Sequence, residues 1–411
     1  MTQTYNQQHN IWESASCEAD WLDFLLFKKD TQQKSCQKLE PFIEEKRYLP
    51  LCEDWKQGCF PRSLARKHQI SKSGSEKKRI VYSYDGDEGI FLKFIAFQLY
   101  RYEDRLCDNC YSFRKKLGIS QGVKKLIPVS VAGKWYCMKT DIHNYFNSMD
   151  VDFLLSKLQF LKEKDSFVYQ LLERILREKR VTEQGNVVRE KKGGMAGIPV
   201  SAFFANIYLE DIDRYFKEQG ILYLRYSDDI LFFTDTKDKL MELQKELYTR
   251  LEHLGLSVNR EKEQIFQPGE PFNFLGLCFD RGQVDLSAHR IEKTRAKIRR
   301  KARALRRWQQ KKGLKPEKAA IGLIHGMNRK FFGTDELDFN WSRWYFPLLN
   351  VDFGLHQIDL FMQEYIRYAV TGRHYKGNYR IRYQQMKQWG YRSLVHEYWI
   401  YREMEVRNNE S

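Results

Sequence analysis

The chain has 411 residues, of which 42% are hydrophobic and 30% are charged, and this is enough apolar content for the cores of two or three domains. Its 70 Lys and Arg outnumber its 54 Asp and Glu, so the net charge of +16 predicts a polyanionic partner, although charge alone does not separate nucleic acid from an acidic membrane. No 18-residue apolar run, no signal peptide and no disulfide-type spacing of the 8 Cys are found, which excludes membrane-spanning and disulfide-stapled classes and predicts a cytoplasmic protein without a membrane partner.

The first part of the chain places basic side chains on a predicted strand. The polar stretch from Ser71 to Lys78 predicts a loop, and the segment from Lys78 to Val81 that follows it predicts the strand. Basic side chains on such a strand can clamp a triphosphate, because Arg binds phosphate oxygens bidentately. An amphipathic helix is predicted next, from about Gly89 to Leu106. The CxxC pair that comes after the helix supplies only two of the four ligands of a zinc site.

Three aspartates stand where predicted apolar strands end. Residues 134–140 predict a strand that runs up to Asp141, while residues 221–226 and 230–233 predict a hairpin with Asp228 and Asp229 at or near its tip. Adjacent carboxylates repel each other, and Mg²⁺ prefers carboxylate oxygens combined with substrate phosphates. The three aspartates therefore predict a two-metal phosphoryl-transfer site, although an Asp-Asp pair by itself is common in turns.

The second half of the chain is basic and largely helical. Leucines at helical spacing after the hairpin predict a helix that covers the sheet, and they are Leu240, Leu243, Leu247, Leu251 and Leu254. Residues 290–312 contain 12 Lys or Arg against one acid, which predicts a helix that buries a narrow stripe and grips a duplex through its phosphates. In the aromatic tail, residues 373–376 and 379–383 interleave basic and aromatic side chains, a pattern that can hold RNA.

The order of the motifs resembles that of the reverse transcriptases. From Asp141 the chain reads Asp-Ile-x-x-Tyr-Phe, then Gly-Ile-Pro-Val-Ser at residues 197–201 with Ala-Asn at 205–206, then Tyr-Ser-Asp-Asp, then Phe-Leu-Gly at 274–276. The resemblance covers roughly residues 76–280. It implies an α+β fold with right-hand polymerase architecture, in which a palm with an antiparallel sheet joins fingers and a helical thumb.

The resemblance also implies domain boundaries. Residues 1–75 are expected to form an N-terminal helical extension, and residues 76–130 the fingers. The palm is expected over residues 131–280, with a fingers insertion at about 160–195. Residues 281–411 are expected to form the basic helical thumb and a C-terminal RNA-binding region.

By resemblance, Asp141 and Asp228 would hold two divalent ions, and Asp229 would be a less essential third carboxylate. Ile142 would lend its backbone carbonyl to one of the ions. Mg²⁺ is expected and Mn²⁺ is possible, a choice that rests on hard oxygen ligands and cellular supply.

The resemblance implies nucleotide contacts as well. Phe146 would lie under the sugar of the incoming nucleotide and exclude a 2′-hydroxyl, which implies dNTPs, or else it is a core residue. Arg79 and Lys78 would clamp the triphosphate, and Gly197 would approach the nucleotide. Lys262 would lie by the leaving pyrophosphate as a proton donor, or else it is a surface lysine.

Further contacts are implied for the nucleic acid itself. Arg114, in Tyr-Ser-Phe-Arg, resembles a fingers residue that contacts the template, and the primer grip is the Phe274, Leu275 and Gly276 triplet. The thumb contacts would come from the basic helix, through Arg295, Arg299 and Arg303. The chain departs from many relatives by having Ala196 where they have Gln, and Ala202 where they have Pro, which puts the grip on the substrate in doubt.

The altered Gly-x-Pro motif and the tail resemble bacterial reverse transcriptases associated with phage defence, with retron and group II intron enzymes as neighbouring groups. This implies an RNA-directed DNA polymerase that copies a dedicated non-coding RNA template into DNA. One alternative is an RNA-synthesising or untemplated polymerase on the same palm; Phe146 argues against RNA synthesis. Another is a non-catalytic RNA-binding scaffold, which the three intact aspartates argue against. The oligomeric state stays open.

Overall fold

The computed structural model describes residues 10–31, 36–71, 78–333 and 340–410. The chain folds into two compact units. Unit 1 comprises residues 1–122 and 134–268, and unit 2 comprises residues 123–133 and 269–411. The middle of the predicted loop between Ser71 and Lys78 lies outside the described residues. The fingers, palm and thumb boundaries stay predictions.

Unit 1 begins with helices packed beside a small sheet. In chain order its elements up to residue 189 are α1 (Ile11–Ser16), α2 (Glu18–Thr31), α3 (Cys36–Glu44), α4 (Tyr48–Lys56), β1 (Arg66–Ser71), β2 (Lys78–Ser83), α5 (Gly86–Gln98), the start of α6 (Ile119–Ala132), β3 (Tyr136–Asp141), α7 (Tyr145–Ser148), α8 (Val151–Lys157), α9 (Phe160–Lys164), α10 (Ser166–Arg177), β4 (Arg180–Glu183) and β5 (Asn186–Arg189). The strand order β2-β1-β4-β5 brings the predicted triphosphate-clamping strand β2 to one edge of this sheet. The predicted helix over residues 89–106 is α5 followed by a 3₁₀ segment, Leu99–Arg105.

The second sheet of unit 1 carries the predicted hairpin. The remaining elements of the unit are α11 (Ser201–Tyr208), α12 (Glu210–Glu218), β6 (Tyr223–Tyr226), β7 (Asp229–Thr234), α13 (Lys237–His253) and β8 (Gln264–Phe266). The strand order is β6-β7-β3-β8, and all neighbours are antiparallel. Helix α13 packs on β3 and β7, and four of its predicted leucines are buried, which confirms the prediction of a helix covering this sheet.

A single aromatic-rich core runs through unit 1. The ring of Trp21, from α2, stacks on the ring of Phe94, from α5, with centroids 4.0 Å apart. Both side chains are fully buried, and each such side chain stabilises the fold by about 1.5–3 kcal/mol relative to an exposed one. The N-terminal helices are therefore an integral part of unit 1.

The motif of residues 197–206 becomes helical only after its first four residues. Helix α11 starts at Ser201, so Pro199 lies before its first turn. The reason is a left-handed backbone at Met195, with φ of 55°, and at Gly197, with φ of 106°, which turns the chain before the helix can start.

Unit 2 combines a three-stranded antiparallel sheet with a helical bundle. Its elements after α6 are β9 (Phe272–Phe274), β10 (Leu277–Asp280), β11 (Gln283–Leu286), α14 (Ala288–Lys311), α15 (Glu317–Phe332), α16 (Trp341–Tyr345), α17 (Phe353–Thr371), α18 (Tyr383–Gln388) and α19 (Leu394–Glu410). Helix α14 is the predicted basic helix, and it is capped by Ser287, whose side chain accepts from the Arg290 N–H. It packs against α15 and α17. The buried stripe includes Ile291, Ile298 and Ala302, whereas the apolar Ala296 and Leu305 are only half-buried.

Candidate active site

The tip of the β6–β7 hairpin is a two-residue loop. Tyr226 pairs with Asp229, so Ser227 and Asp228 form the turn between the strands. Ser227 has a φ of 61°, and a positive φ at the first loop position is the mark of the type II′ turns that suit hairpins. The sequence prediction of an aspartate pair at a hairpin tip is confirmed.

The end of β3 brings Asp141 to the same place. Asp141 is the cross-strand partner of Asp229 in the β3–β7 pairing, and directly opposed residues send their side chains to the same face. Just past the strand, the Ile142 N–H donates to the Asp228 carbonyl at 3.1 Å. Backbone pairing alone thus gathers Asp141, Asp228 and Asp229 at one end of the sheet.

The three carboxylates oppose one another electrostatically. Burial, and after it the charge of Asp141, raises the pKa of Asp228 above its ordinary value. Burial also raises the pKa of Asp229 to about 6, with the neighbouring charges of Asp228 and Asp141 adding to the rise and that of Lys139 opposing it. Negative charge is therefore costly here, and a bound cation would relieve that cost.

Two basic side chains face the aspartates. The Lys262 Nζ lies 2.8 Å from an Asp141 carboxylate oxygen. This lysine ends the 3₁₀ segment Arg260–Lys262, which is fixed to the site because the Asn259 N–H donates to the Asp141 carbonyl at 2.7 Å. Arg79, exposed on β2, lies close enough for its charge to act on Asp228 and lower its pKa. Lys78 is the exposed first residue of the same strand.

Phe146 contacts the turn that leads to Gly197. Phe146 lies half-buried on α7, and its carbonyl accepts from the Gly194 N–H at 2.6 Å. At Gly197 a Cβ would lie 2.8 Å from the carbonyl oxygen of Tyr82 on β2, so no larger residue fits without a backbone shift. The turn that precedes α11 therefore lies against both α7 and the strand that bears Arg79.

A buried ion pair that the sequence analysis did not single out supports the hairpin. Arg225 and Asp213 are both 0% exposed. The Arg225 Nε donates to an Asp213 carboxylate oxygen at 2.7 Å, and its Nη1 donates to the Ser227 carbonyl at 3.1 Å. An arginine inside the apolar run of β6 was the available signal, because a charged residue at a core position needs a buried partner.

The predicted role of Arg114 is not supported by its surroundings. Its side chain is 7% exposed and pairs with Glu103 at 3.1 Å. The guanidinium also donates to the backbone carbonyls of Glu103, Leu106, Cys107 and Cys110. The burial corrects the expectation of a nucleic-acid contact, since this arginine ties the segment before it to the 3₁₀ helix rather than facing solvent.

In unit 2, the Phe274, Leu275 and Gly276 triplet forms a tight hairpin turn. Phe274 pairs with Leu277, and Leu275 and Gly276 between them have φ values of 53° and 82°. Positive φ at both loop positions is the signature of a type I′ turn. A Cβ on Gly276 would lie 2.8 Å from the Arg290 Nε, so the glycine lets α14 approach the turn.

The three predicted thumb arginines differ in their surroundings. Arg295 donates to the Gln357 side chain at 3.2 Å, and the Arg299 Nε donates to the Tyr365 hydroxyl at 3.3 Å, so both reach across to α17. Arg303 is exposed. Of the three, Arg303 has the arrangement best suited to a phosphate.

The carboxylates suit a hard divalent cation. Across the described ranges, no three acidic, His or Cys side chains form a ready metal-binding group. This is compatible with Mg²⁺, which commonly binds one or two carboxylates and completes its coordination with water and substrate phosphates.

Among the helices in the described part of the chain, none is both long enough and apolar enough to cross a bilayer.

Comparison with protein families confirms the resemblance. Residues 70–279, about half of the chain, match the family described as reverse transcriptase (RNA-dependent DNA polymerase). The match also confirms the predicted fold class, since the structure has the α+β composition of this family.

Curated relatives and solved structures are more distant. The retron Ec86 reverse transcriptase of Escherichia coli is 26% identical over 106 residues, which cover 25% of this chain and 33% of the relative. The retron Ec83 reverse transcriptase of the same organism is 29% identical over 149 residues, covering 34% and 45%. The chain thus spans less than half the length of these relatives.

Apo telomerase from Candida tropicalis aligns with a TM-score of 0.46 at 12% identity, covering 76% of this chain and 59% of that one. Telomerase from Candida albicans in complex with a fragment of telomeric RNA has a TM-score of 0.43 at 12% identity, covering 79% and 63%.

Proposed function

The chain belongs to the reverse transcriptase family, and from this premise we propose that it is an RNA-directed DNA polymerase that adds dNTPs to a 3′-hydroxyl. The observation that carries the proposal is the pairing of Asp141 with Asp229, with Asp228 in the adjoining loop. Intact clustered carboxylates on a protein of net charge +16 are unfavourable for passive binding of a polyanion, which argues against a scaffold.

Reverse transcriptases use divalent metal ions, and in this chain Asp141, Asp228, Asp229 and the Ile142 carbonyl would hold them. When bound, two ions activate the 3′-hydroxyl and neutralise the charge that develops on the triphosphate. The chain's own contribution is preorganisation, because strand pairing fixes the backbone of Asp141 and Asp229, and the short loop between β6 and β7 fixes that of Asp228, before any substrate arrives.

The surrounding side chains suit a nucleoside triphosphate. Arg79 and Lys78 lie on an exposed strand from which they would bind phosphate oxygens. Lys262, already 2.8 Å from Asp141, would donate a proton to the leaving pyrophosphate. Phe146, half-buried on α7, would exclude a 2′-hydroxyl and so select dNTPs.

Unit 2 offers surfaces for the template. Tyr379 is 72% exposed, and the Arg367 guanidinium lies 5.0 Å from its ring centroid. Both line a pocket of about 570 Å³ that also includes Tyr375 and Lys376. Exposed aromatic and basic side chains of this kind bind unstacked RNA bases and phosphates. We extend the proposal to a dedicated non-coding RNA as template and to a role in anti-phage defence, a reading that the similarity to retron enzymes supports.

The test is to purify the protein with the nucleic acid that it retains, sequence that material, and supply Mg²⁺ with either dNTPs or rNTPs. The proposal predicts DNA complementary to one retained RNA, made from dNTPs alone. Products from rNTPs would contradict the role of Phe146. Products that match no template would replace the proposal by untemplated addition.

A further inference from the structure

A second pocket in unit 1 lies apart from the three aspartates. It is a concavity of about 640 Å³, lined by the start of α8, the end of α10 and the segment that follows β5. None of the three aspartates contributes to its lining. Its volume is within the range of small-molecule sites.

The unusual feature of this pocket is the buried ammonium of Lys192. The residue is 4% exposed, and its Nζ has no hydrogen-bond partner in the parts of the chain that the structure describes. Burial lowers the pKa of Lys192 to about 8, although the charges of Glu178 and Glu190 act in the opposite direction. A buried, unpaired ammonium is costly, and proteins usually compensate such a group with a carboxylate or a ligand.

The acidic side chains of the pocket are already occupied by other partners. The Tyr82 hydroxyl donates to Glu190 at 2.8 Å, and Lys67 also pairs with Glu190. Arg180 binds Glu178 through its side chain and its backbone N–H, which lowers the pKa of Glu178 to about 2.

The same holds for the other two acids at the pocket. Arg177 pairs with Asp152 at 2.9 Å. The Asp150 side chain accepts from the Phe153 N–H at 2.8 Å and caps α8. Each of the four acids that line the pocket therefore has a donor other than Lys192.

The mouth of the pocket adds further positive charge. Lys179, Arg189 and Lys191 contribute to the lining and are exposed. None of the three forms an ion pair with a carboxylate among the described residues. With Lys192, they give four cationic side chains without a carboxylate partner around one concavity.

We propose that this pocket is a binding site for a terminal phosphate or polyphosphate group, with Lys192 as its buried ligand. Lys179, Arg189 and Lys191 bind the outer phosphate oxygens at the mouth. Several cations around one concavity match a multiply charged anion better than a single carboxylate, because each phosphate carries up to two charges and three strong acceptor oxygens. The group comes either from a free nucleotide or from the 5′ end of a nucleic acid.

The site is independent of the proposed polymerase activity, so it is tested by binding in EDTA with the full chain. Isothermal titration calorimetry is run with sodium tripolyphosphate, ATP, and one RNA oligonucleotide bearing either a 5′-phosphate or a 5′-hydroxyl. Tripolyphosphate is expected to bind, and Lys192→Met is expected to weaken that binding by about tenfold or more, the value of one lost charge-assisted hydrogen bond.

Two controls separate this pocket from other basic surfaces. Lys245→Met removes an exposed lysine of α13, and Arg79→Ala removes the predicted triphosphate clamp. Lys245→Met is expected to keep wild-type affinity for tripolyphosphate, whereas Arg79→Ala reports any binding of tripolyphosphate at the predicted clamp itself. A loss of affinity in Arg79→Ala, with none in Lys192→Met, would overturn the proposal.

Thermal unfolding provides a second readout. Because Lys192 is buried without a partner, Lys192→Met is expected to leave the ligand-free midpoint unchanged or higher. A lower midpoint, or a failure to fold, would indicate that the Lys192 side chain also stabilises the fold, and the decision then rests on the exposed lining residues. In either case the exposed pair Arg189→Ala and Lys191→Ala must still weaken tripolyphosphate binding, and unchanged affinity there would overturn the proposal.

The arms of the titration identify the source of the phosphate. A preference for the 5′-phosphorylated RNA over its 5′-hydroxyl counterpart would assign the site to a nucleic-acid end. Tighter binding of ATP than of either RNA would assign it to a free nucleotide. Failure of all phosphate compounds to bind would contradict the proposal whichever source is considered.

Discussion

The buried pair of Arg225 and Asp213 allows a sharp test of how the hairpin is held. In Asp213→Asn the guanidinium of Arg225 keeps its full charge while its partner loses its own, in a place where both residues are 0% exposed. Removing one partner of a buried ion pair costs about 3–5 kcal/mol, because an uncompensated charge stays behind. For a unit of this size that corresponds to a fall in Tm of about 6–20 °C. The Tyr223 hydroxyl, which donates to Asp213 at 3.0 Å, also loses a charged acceptor.

The assay is thermal unfolding of the full chain, followed by the far-UV circular dichroism signal. Asp108→Asn is the matched control, since Asp108 pairs with Lys217 at 3.0 Å but both side chains are more than half exposed. Exposed ion pairs contribute about 0–1 kcal/mol, so the control is expected to stay near wild type. The double variant Asp213→Leu with Arg225→Met should recover much of the loss, because an apolar pair leaves no buried charge. A loss in Asp213→Asn that is no larger than that of the control would refute the reasoning.

Three further results are expected. Gly197→Ala should lower both Tm and dNTP incorporation, because its Cβ would lie 2.8 Å from the Tyr82 carbonyl; normal activity with unchanged Tm would contradict the contact. Phe146→Ala should raise incorporation of rNTPs relative to dNTPs in a primer-extension assay, and an unchanged ratio would assign the ring to the core alone. Arg303→Ala should lower the magnitude of the slope of log K against log salt for RNA binding by about one, the value for one lost phosphate contact. A slope equal to that of wild type would exclude Arg303 from the interface.

Much of the candidate site was predictable because its signals are local in sequence. The strand leading to Asp141 and the hairpin bearing Asp228 and Asp229 follow from short apolar runs that end at acids. That these strands meet at one end of a sheet depends on contacts between residues distant in sequence. This contact was predictable only because the order of the motifs resembles that of a known family. The α14 helix was equally readable, since its basic composition and cap are contained within one segment.

The remaining features depend on partners that are distant in sequence. Arg114 has the composition of a nucleic-acid contact, but Glu103 binds it in the fold. Arg225, on β6, forms an ion pair with Asp213, on α12. Lys192 reads as one member of an exposed charge run, and only the packing of α8, α10 and β5 buries it. Composition predicts that a charge is present, whereas its partner is decided by tertiary packing.

The central claim is that the aspartate cluster catalyses DNA synthesis. Its most direct test is the rate of single dNTP addition to a primed RNA template in Mg²⁺, comparing wild type with Asp228→Asn and with Asp235→Asn, an exposed aspartate just after β7. Asp228→Asn keeps the shape of the side chain and removes its charge, so a loss of about a thousandfold or more is expected, equivalent to about 4 kcal/mol in the barrier. Asp235→Asn should keep the wild-type rate. Equal rates in both variants would contradict the assignment of this site as the polymerase centre.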